Sequence, residues 1–222
     1  MGIGKDMLVH LGKGVVKGVA VDAGVAAFDK VSERSKKKSE KKIKKFLNDD
    51  PTHIHLVVSN SRNTARKQYS VFDKDMNVKY QIIGKKVSLS NHLTVTDMSG
   101  EKLATIKEKL VSLRAPLSKD SDPRDFIIEI GGEKIGKIKS QGAIASRRFE
   151  ICFNDWAIEG NVTGLKYVVR YGKEIILKVD EKPGLDLFSD QEYYFLDITK
   201  PENELIGLVI ATTLDVATTT KG

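Results

Sequence analysis

The chain has 222 residues, 40% hydrophobic and 30% charged, with a formal net charge of +7 and one cysteine. A lone cysteine excludes an intrachain disulfide and a cysteine-based metal centre, and it fits a reducing, cytoplasmic location. Residues 1–50 hold 12 Lys/Arg against 7 Asp/Glu and residues 51–222 hold 25 against 23, so the body is nearly neutral and the basicity belongs to the N-terminal segment.

Residues 1–50 read as a helical extension, Gly-rich and then Lys-rich. Val15, Val19 and Ala26 share one helical face; Val16, Ala20, Ala27 and Val31 share another. Glycines at 12, 14, 18 and 24 each cost about 1 kcal/mol relative to Ala in a helix interior, so this helix needs a support. Packing on the body, lying on a membrane surface and pairing with a second copy all meet that need. Gly14 and Gly18 have GxxxG spacing, a weak signal in so charged a stretch.

A basic run follows: Arg34, Lys36, Lys37, Lys38, Lys41, Lys42, Lys44 and Lys45, with Glu40 the one acid among them. Such a cluster attracts anionic lipid headgroups or nucleic acid; a solvated helix face or linker explains it equally well. No signal peptide or spanning helix is expected. Lys5, Lys13, Lys17, Asp22 and Asp29 interrupt the leader, where a span needs roughly 20 apolar residues. Asp6 stands where a myristoylation signal wants Ser or Thr. Asn48-Asp-Asp-Pro51 ends the region with turn chemistry.

From His53 the period changes to two. Tyr69, Val71 and Tyr80, Ile82 flank the turn at Asp73–Asn77; Leu93, Val95 and Leu103, Thr105 flank Asp97–Gly100. Phe126, Ile128, Ile130 and Ile135, Ile138 flank Gly131-Gly132, and Tyr167, Val169 and Ile175, Leu177 flank Tyr171-Gly172. Apolar alternation joined by such turns predicts antiparallel hairpins. Gly100-Glu-Lys-Leu-Ala-Thr-Ile-Lys107 recurs as Gly132-Glu-Lys-Ile-Gly-Lys-Ile-Lys139 and, more loosely, as Gly172-Lys-Glu-Ile-Ile-Leu-Lys178. Recurring hairpins in few, irregularly spaced copies predict one closed barrel, which also removes exposed edges.

The segment from Glu202 to Ala217 is apolar around nearly its whole circumference, the mark of a buried element. Pro201 and the acids at 202 and 204 suit a helix start. Val209, Ile210, Thr212 and Thr213 would equally suit a strand; a helix at about 203–217 is the favoured reading.

Several motifs in one order resemble the LURP-one-related proteins. They are Tyr69-x-Val-x-Asp73, Asn77-Val-Lys-Tyr80-x-Ile-x-Gly84-Lys85 and Leu93-x-Val-x-Asp97-x-x-Gly100. Leu103-Ala-Thr-Ile-Lys107-x-Lys109, Trp156-x-Ile-x-Gly160-Asn161 and the apolar run ending at Asp215 complete the set. The resemblance implies a tubby-like fold, mainly β, in which a closed antiparallel barrel of residues 51–222 surrounds a central hydrophobic C-terminal helix. The wider group includes phosphoinositide-binding tubby domains and phospholipid scramblases, so lipid contact is the implied expectation. A tubby-type phosphoinositide pocket does not match residue by residue, and the cysteine cluster of scramblases is absent.

Motifs for chemistry are few. Gly131-x4-Gly136-Lys137 imitates a phosphate-binding loop, but Ile138 replaces the Ser/Thr and the stretch reads as a hairpin. His53 and His55 fall on one side of a strand; with no carboxylate or cysteine at ligand spacing, a surface or strand-packing role is expected and no metal. Cys152 lies in an alternating run, which predicts a buried, inert thiol. Asn161-Val-Thr163 is a glycosylation sequon without a secretory signal, and Trp156 reads as core. No enzyme and no cofactor are expected. The favoured expectation is a non-catalytic, membrane-peripheral module using the eight basic residues on anionic lipid. A protein-interaction scaffold is the alternative, and nucleic-acid binding and a ligand inside the barrel rank well below both.

Overall fold

The computed structural model describes residue 37 and residues 41–61, 68–85, 90–110, 124–142, 147–181 and 191–218. Residues 41–47 are helical. The strands are β1 (Ile54–Ser61), β2 (Gln68–Phe72), β3 (Val78–Gly84), β4 (His92–Asp97), β5 (Lys102–Leu110), β6 (Arg124–Ile130), β7 (Glu133–Gln141), β8 (Arg148–Ile151), β9 (Ala157–Asn161), β10 (Lys166–Tyr171), β11 (Glu174–Glu181) and β12 (Gln191–Ile198). A 3-10 turn, Pro201–Asn203, leads into the C-terminal helix, Glu204–Thr218.

The sheet order is β8-β7-β6-β5-β4-β3-β2-β1-β12-β11-β10-β9. Chain neighbours therefore pair throughout except β8 with β9, and β1 pairs with β12 across the ends of the chain. The pairings are antiparallel. The hydrogen-bonded ring stops at β8 and β9, so the barrel is nearly closed. Cys152–Trp156 links the two strands, and Phe153 and Trp156 pack against the core at that seam.

Alternation sends one face of every hairpin inward. Leu56, Val58, Tyr69, Val71, Ile82, Leu93, Val95, Ile106, Phe126 and Ile128 are among the inward residues, buried against Leu208, Val209, Ile210, Leu214 and Val216 of the helix. The segment read as all-round apolar is a helix, buried from Gly207 to Ala217. Each fully buried Leu, Ile or Val contributes about 1.5–3 kcal/mol, which a strand at a sheet margin could not gain on both faces. Its two buried threonines lose no hydrogen bonds, because Thr212 Oγ1 and Thr213 Oγ1 donate to the carbonyls of Leu208 and Val209 at 2.9 and 2.7 Å.

Four hairpins share one device. In β2–β3, β4–β5, β6–β7 and β10–β11 the register slips, leaving Lys79, Leu103, Ile135 and Ile176 as the extra residues. Each slip follows a turn residue at positive φ: Met76 at 63°, Gly100 at 86°, Gly132 at 86° and Gly172 at 57°. A left-handed turn residue followed by a bulge is a standard hairpin solution that adds local twist, which a closing sheet needs. The recurring Gly-Glu-Lys sequence is thus a recurring turn and bulge.

Because neighbours run antiparallel, the tight turns of these hairpins lie at one rim, together with the start of β1 and the start of the helix. The strand ends Ser61, Gly84, Leu110, Gln141 and Glu181 lie at the other rim, where the helix ends.

Candidate functional site

The basic segment is amphipathic where it is described. Spacings of three and four put Ile43, Phe46 and Leu47 on one face of the helical residues, and that face lies on the outside of the barrel. The wall beneath is apolar because Val57 of β1 faces Phe72 of β2 on one side and Phe195 of β12 on the other. Leu47, Val57, Phe72, Tyr193 and Phe195 form this second buried cluster, with Ile43, Phe46, Met76 and Val78 against it. The ring of Phe46 meets the Phe195 ring edge-on at 4.8 Å.

The opposite face is cationic. Lys37, Lys41, Lys42, Lys44 and Lys45 are exposed. Arg34, Lys36 and Lys38, together with the helical pattern of residues 1–31, lie outside the described residues. The helix stops at Asn48, whose Nδ2 donates to the Lys44 carbonyl at 2.7 Å. Asp50 Oδ1 then accepts from the Thr52 amide at 2.9 Å and from the Thr52 hydroxyl at 2.6 Å, and these contacts hold its carboxyl below the usual range. A boundary at residue 50 therefore cuts between residues that pack together.

The sequence reading missed this wall. The signal was present: Leu56-Val-Val58 and Tyr193-Tyr-Phe-Leu196 are continuous apolar runs, and such runs mark strands covered on both faces. It also missed the neighbours of the two histidines. Strand pairing sets His55 opposite Asp197, so a carboxylate does stand at ligand distance from both imidazoles. His53 Nδ1 donates to Asp197 Oδ1 at 2.8 Å, and His55 Nε2 lies 3.6 Å from the same oxygen. The expectation of two unaccompanied histidines is corrected by a contact between residues 142 or more apart, beyond the reach of local spacing.

Other sequence candidates fall into structural places. Gly131 and Gly132 form a tight hairpin turn at φ 60° and 86°, Gly136 lies directly under Phe153, and Lys137 pairs with Asp125 at 3.2 Å. Cys152 is half-buried at the end of β8, not enclosed as expected. Burial and then Glu150 raise its thiol pKa, which disfavours the nucleophilic thiolate. Asn161 Oδ1 accepts from Thr163 at 2.8 Å within the β9–β10 turn. Trp156 is partly buried against the core, as read.

The helix that fills the barrel is fastened at both ends. At its start, Lys79 Nζ lies 2.5 Å from Glu204 Oε1 and the Tyr80 hydroxyl donates to the same oxygen at 2.9 Å. At its end, Arg124 Nη1 donates to the carbonyl of Ala217 at 3.0 Å, and Arg147 Nη1 also donates to that carbonyl. Arg124 Nε donates to Glu108 Oε1 at 2.6 Å, with both side chains almost wholly buried. Between the ends, the Tyr69 hydroxyl donates to Asp215 Oδ2 at 2.8 Å. Burial and then the Asp215 charge push the phenols of Tyr69 and Tyr167 well above their ordinary range.

Comparison with known proteins places this architecture. The family model described as LURP-one-related matches residues 54–215, nearly the whole barrel and its helix. The chain belongs to the LURP-one-related family. This LURP-one-related protein is 26% identical over 163 residues to the uncharacterized protein YxjI of Bacillus subtilis (strain 168), covering 73% of its own length and 93% of that relative. A solved Arabidopsis thaliana protein aligns with 75% of the chain, and with 96% of its own, at 13% identity and a TM-score of 0.45. The matched span begins at β1, so the basic segment lies outside it. No described helix is long and apolar enough to cross a membrane.

Proposed function

We propose that this protein is a non-catalytic, membrane-peripheral module. Its basic residues, from Arg34 to Lys45, contact anionic lipid, and the barrel serves as the rigid support. The observation that carries the reading is the division of residues 41–47 into two faces. Ile43, Phe46 and Leu47 are committed to the barrel wall, which leaves Lys41, Lys42, Lys44 and Lys45 directed to solvent. Lysines held on a rigid base lose less freedom on binding than lysines on a free tail. Each contributes on the order of 1 kcal/mol near an anionic surface, falling off within a Debye length.

The test is co-sedimentation with phosphatidylcholine vesicles, with and without phosphatidylserine, at low and high salt. Deleting residues 1–48 would strip Phe46 and Leu47 from the wall, so a quadruple Lys41, Lys42, Lys44 and Lys45→Gln variant is the sounder probe. Salt-sensitive binding that requires phosphatidylserine and falls on the order of 100-fold in that variant is expected. Equal binding by the variant, or none by the parent chain, overturns the reading. Stoichiometric capture of an acidic protein without vesicle binding would assign the same face to a protein-interaction scaffold instead.

A further inference from the structure

A cluster on the outer wall is left unused by the membrane reading. It lies at the tight-turn rim, where β1 begins and β12 ends. His53, His55 and Asp197 each offer one ligand atom there, and these atoms all lie within 4.8 Å of one another. We propose that these three residues bind a divalent transition-metal ion of the zinc class. The proposal stands apart from the membrane reading, because no lysine of the basic face takes part.

Two imidazoles and a carboxylate suit zinc, and copper or nickel of similar softness, better than magnesium or calcium. Zinc–nitrogen and zinc–oxygen bonds of about 2.0–2.2 Å place tetrahedral ligand atoms about 3.3–3.5 Å apart. The separations of 2.8 and 3.6 Å to Asp197 Oδ1 fall on either side of that spacing. The ion is admitted when the His53–Asp197 hydrogen bond opens and the two imidazoles, whose ligand atoms lie within 4.8 Å of each other, close to that spacing. On binding, the His53 proton moves from Nδ1 to Nε2, on the side of Asp50, and the freed Nδ1 lone pair goes to the metal. Three protein ligands leave a fourth position, and His53 and Asp197 are about one-quarter exposed, which gives the ion a route in.

The surroundings supply the orienting contacts such a site uses. Asp50 Oδ2 lies 3.7 Å from His53 Nε2, the nitrogen on the far side of the ring from Asp197. A carboxylate behind a ligating imidazole fixes its tautomer and strengthens it as a donor. Asp50 is itself held by both Thr52 contacts. His55 is buried, and its ring meets the Phe46 ring edge-on at 4.8 Å, so its Nε2 is fixed toward Asp197. A metal here would tie the end of the basic segment, through Asp50 and Phe46, to the seam between β1 and β12.

The probes are zinc, titrated calorimetrically into the full chain, and cobalt, read by its visible absorption. One ion per chain is expected. His53→Gln and Asp197→Asn, both at partly exposed positions, should each weaken binding about 10-fold or more. His92→Gln, on β4, should bind as the parent does. Undiminished binding by both ligand variants, or no saturable binding below about 100 µM zinc, overturns the proposal and leaves a hydrogen-bonded histidine–aspartate cluster. Folding of each variant is checked by its thermal unfolding without metal.

Discussion

The two rims of the barrel solve the same problem by different physics. Both must hold an end of the buried helix. The tight-turn rim does so at the surface, with Lys79 about two-fifths exposed in its pair with Glu204. The opposite rim does so in the interior, where Arg124, almost fully buried beside Glu108, donates to the helix carbonyls. Cations at a helix C-terminus and anions at its N-terminus both complement the macrodipole, so the arrangement is electrostatically consistent along the axis. What differs is the dielectric, which decides how much each contact is worth and how costly its loss is.

The largest effect is therefore expected from Arg124→Ala. It takes from buried Glu108, which also accepts from the Asn91 amide at 2.8 Å and its side-chain nitrogen at 2.6 Å, the guanidinium donor at its Oε1. Breaking a buried pair by removing one partner costs about 3–5 kcal/mol. Urea denaturation should show a loss of that size, little changed by salt because the pair is shielded from solvent. Replacing both partners, as Arg124→Met with Glu108→Leu, should recover part of it, since no lone charge then remains. A loss below about 1 kcal/mol in the single variant would place this pair with surface ion pairs.

These rims were unequally legible. The tight-turn rim follows from Asp97-x-x-Gly100, Gly131-Gly132 and Tyr171-Gly172, where backbone chemistry is local and the residue type states the dihedral. The helix was legible from its all-round apolarity. The Arg124–Glu108 pair was not, because a charged residue in an alternating strand reads as outward unless its partner is known. Those partners stand 16 residues apart on neighbouring strands, and their helix carbonyls 92 and 93 residues further on. The His53–His55–Asp197 cluster was hidden for the same reason, since it depends on β1 meeting β12. Local pattern gives the hairpins; only the closure of the barrel gives these contacts.

A smaller effect separates two turns of the same shape. Asp97 Oδ1 accepts from the amides of Ser99 and Glu101 at 3.0 and 2.8 Å, and Asp73 Oδ1 accepts from those of Asp75 and Asn77 at 2.9 Å each. The left-handed position is Gly100 in one turn and Met76 in the other. Gly100→Ala should cost about 1 kcal/mol in thermal unfolding, through backbone strain alone, as no atom lies within 4 Å of the added carbon. Met76→Gly relieves the same strain but removes a side chain from the outer cluster, so its net change should be smaller. An equal loss in both would mean that packing, not dihedral strain, governs these turns.

The smallest effect belongs to Lys79→Gln at the exposed end of the helix. Lys79 is the extra residue of the β2–β3 bulge, which aims its amine at Glu204, and the Tyr80 hydroxyl keeps a second contact on that carboxylate. Glu204 is therefore left partnered when the lysine charge is removed. With one side chain well exposed, solvent screening limits the pair to less than about 1 kcal/mol. That contribution should shrink toward zero by about 1 M salt, where the Debye length is near 3 Å. Run beside Arg124→Ala in the same urea series, Lys79→Gln should be the variant whose deficit salt removes. If salt instead leaves the Lys79 deficit intact and erases that of Arg124, the interior and surface assignments of the two rims are reversed.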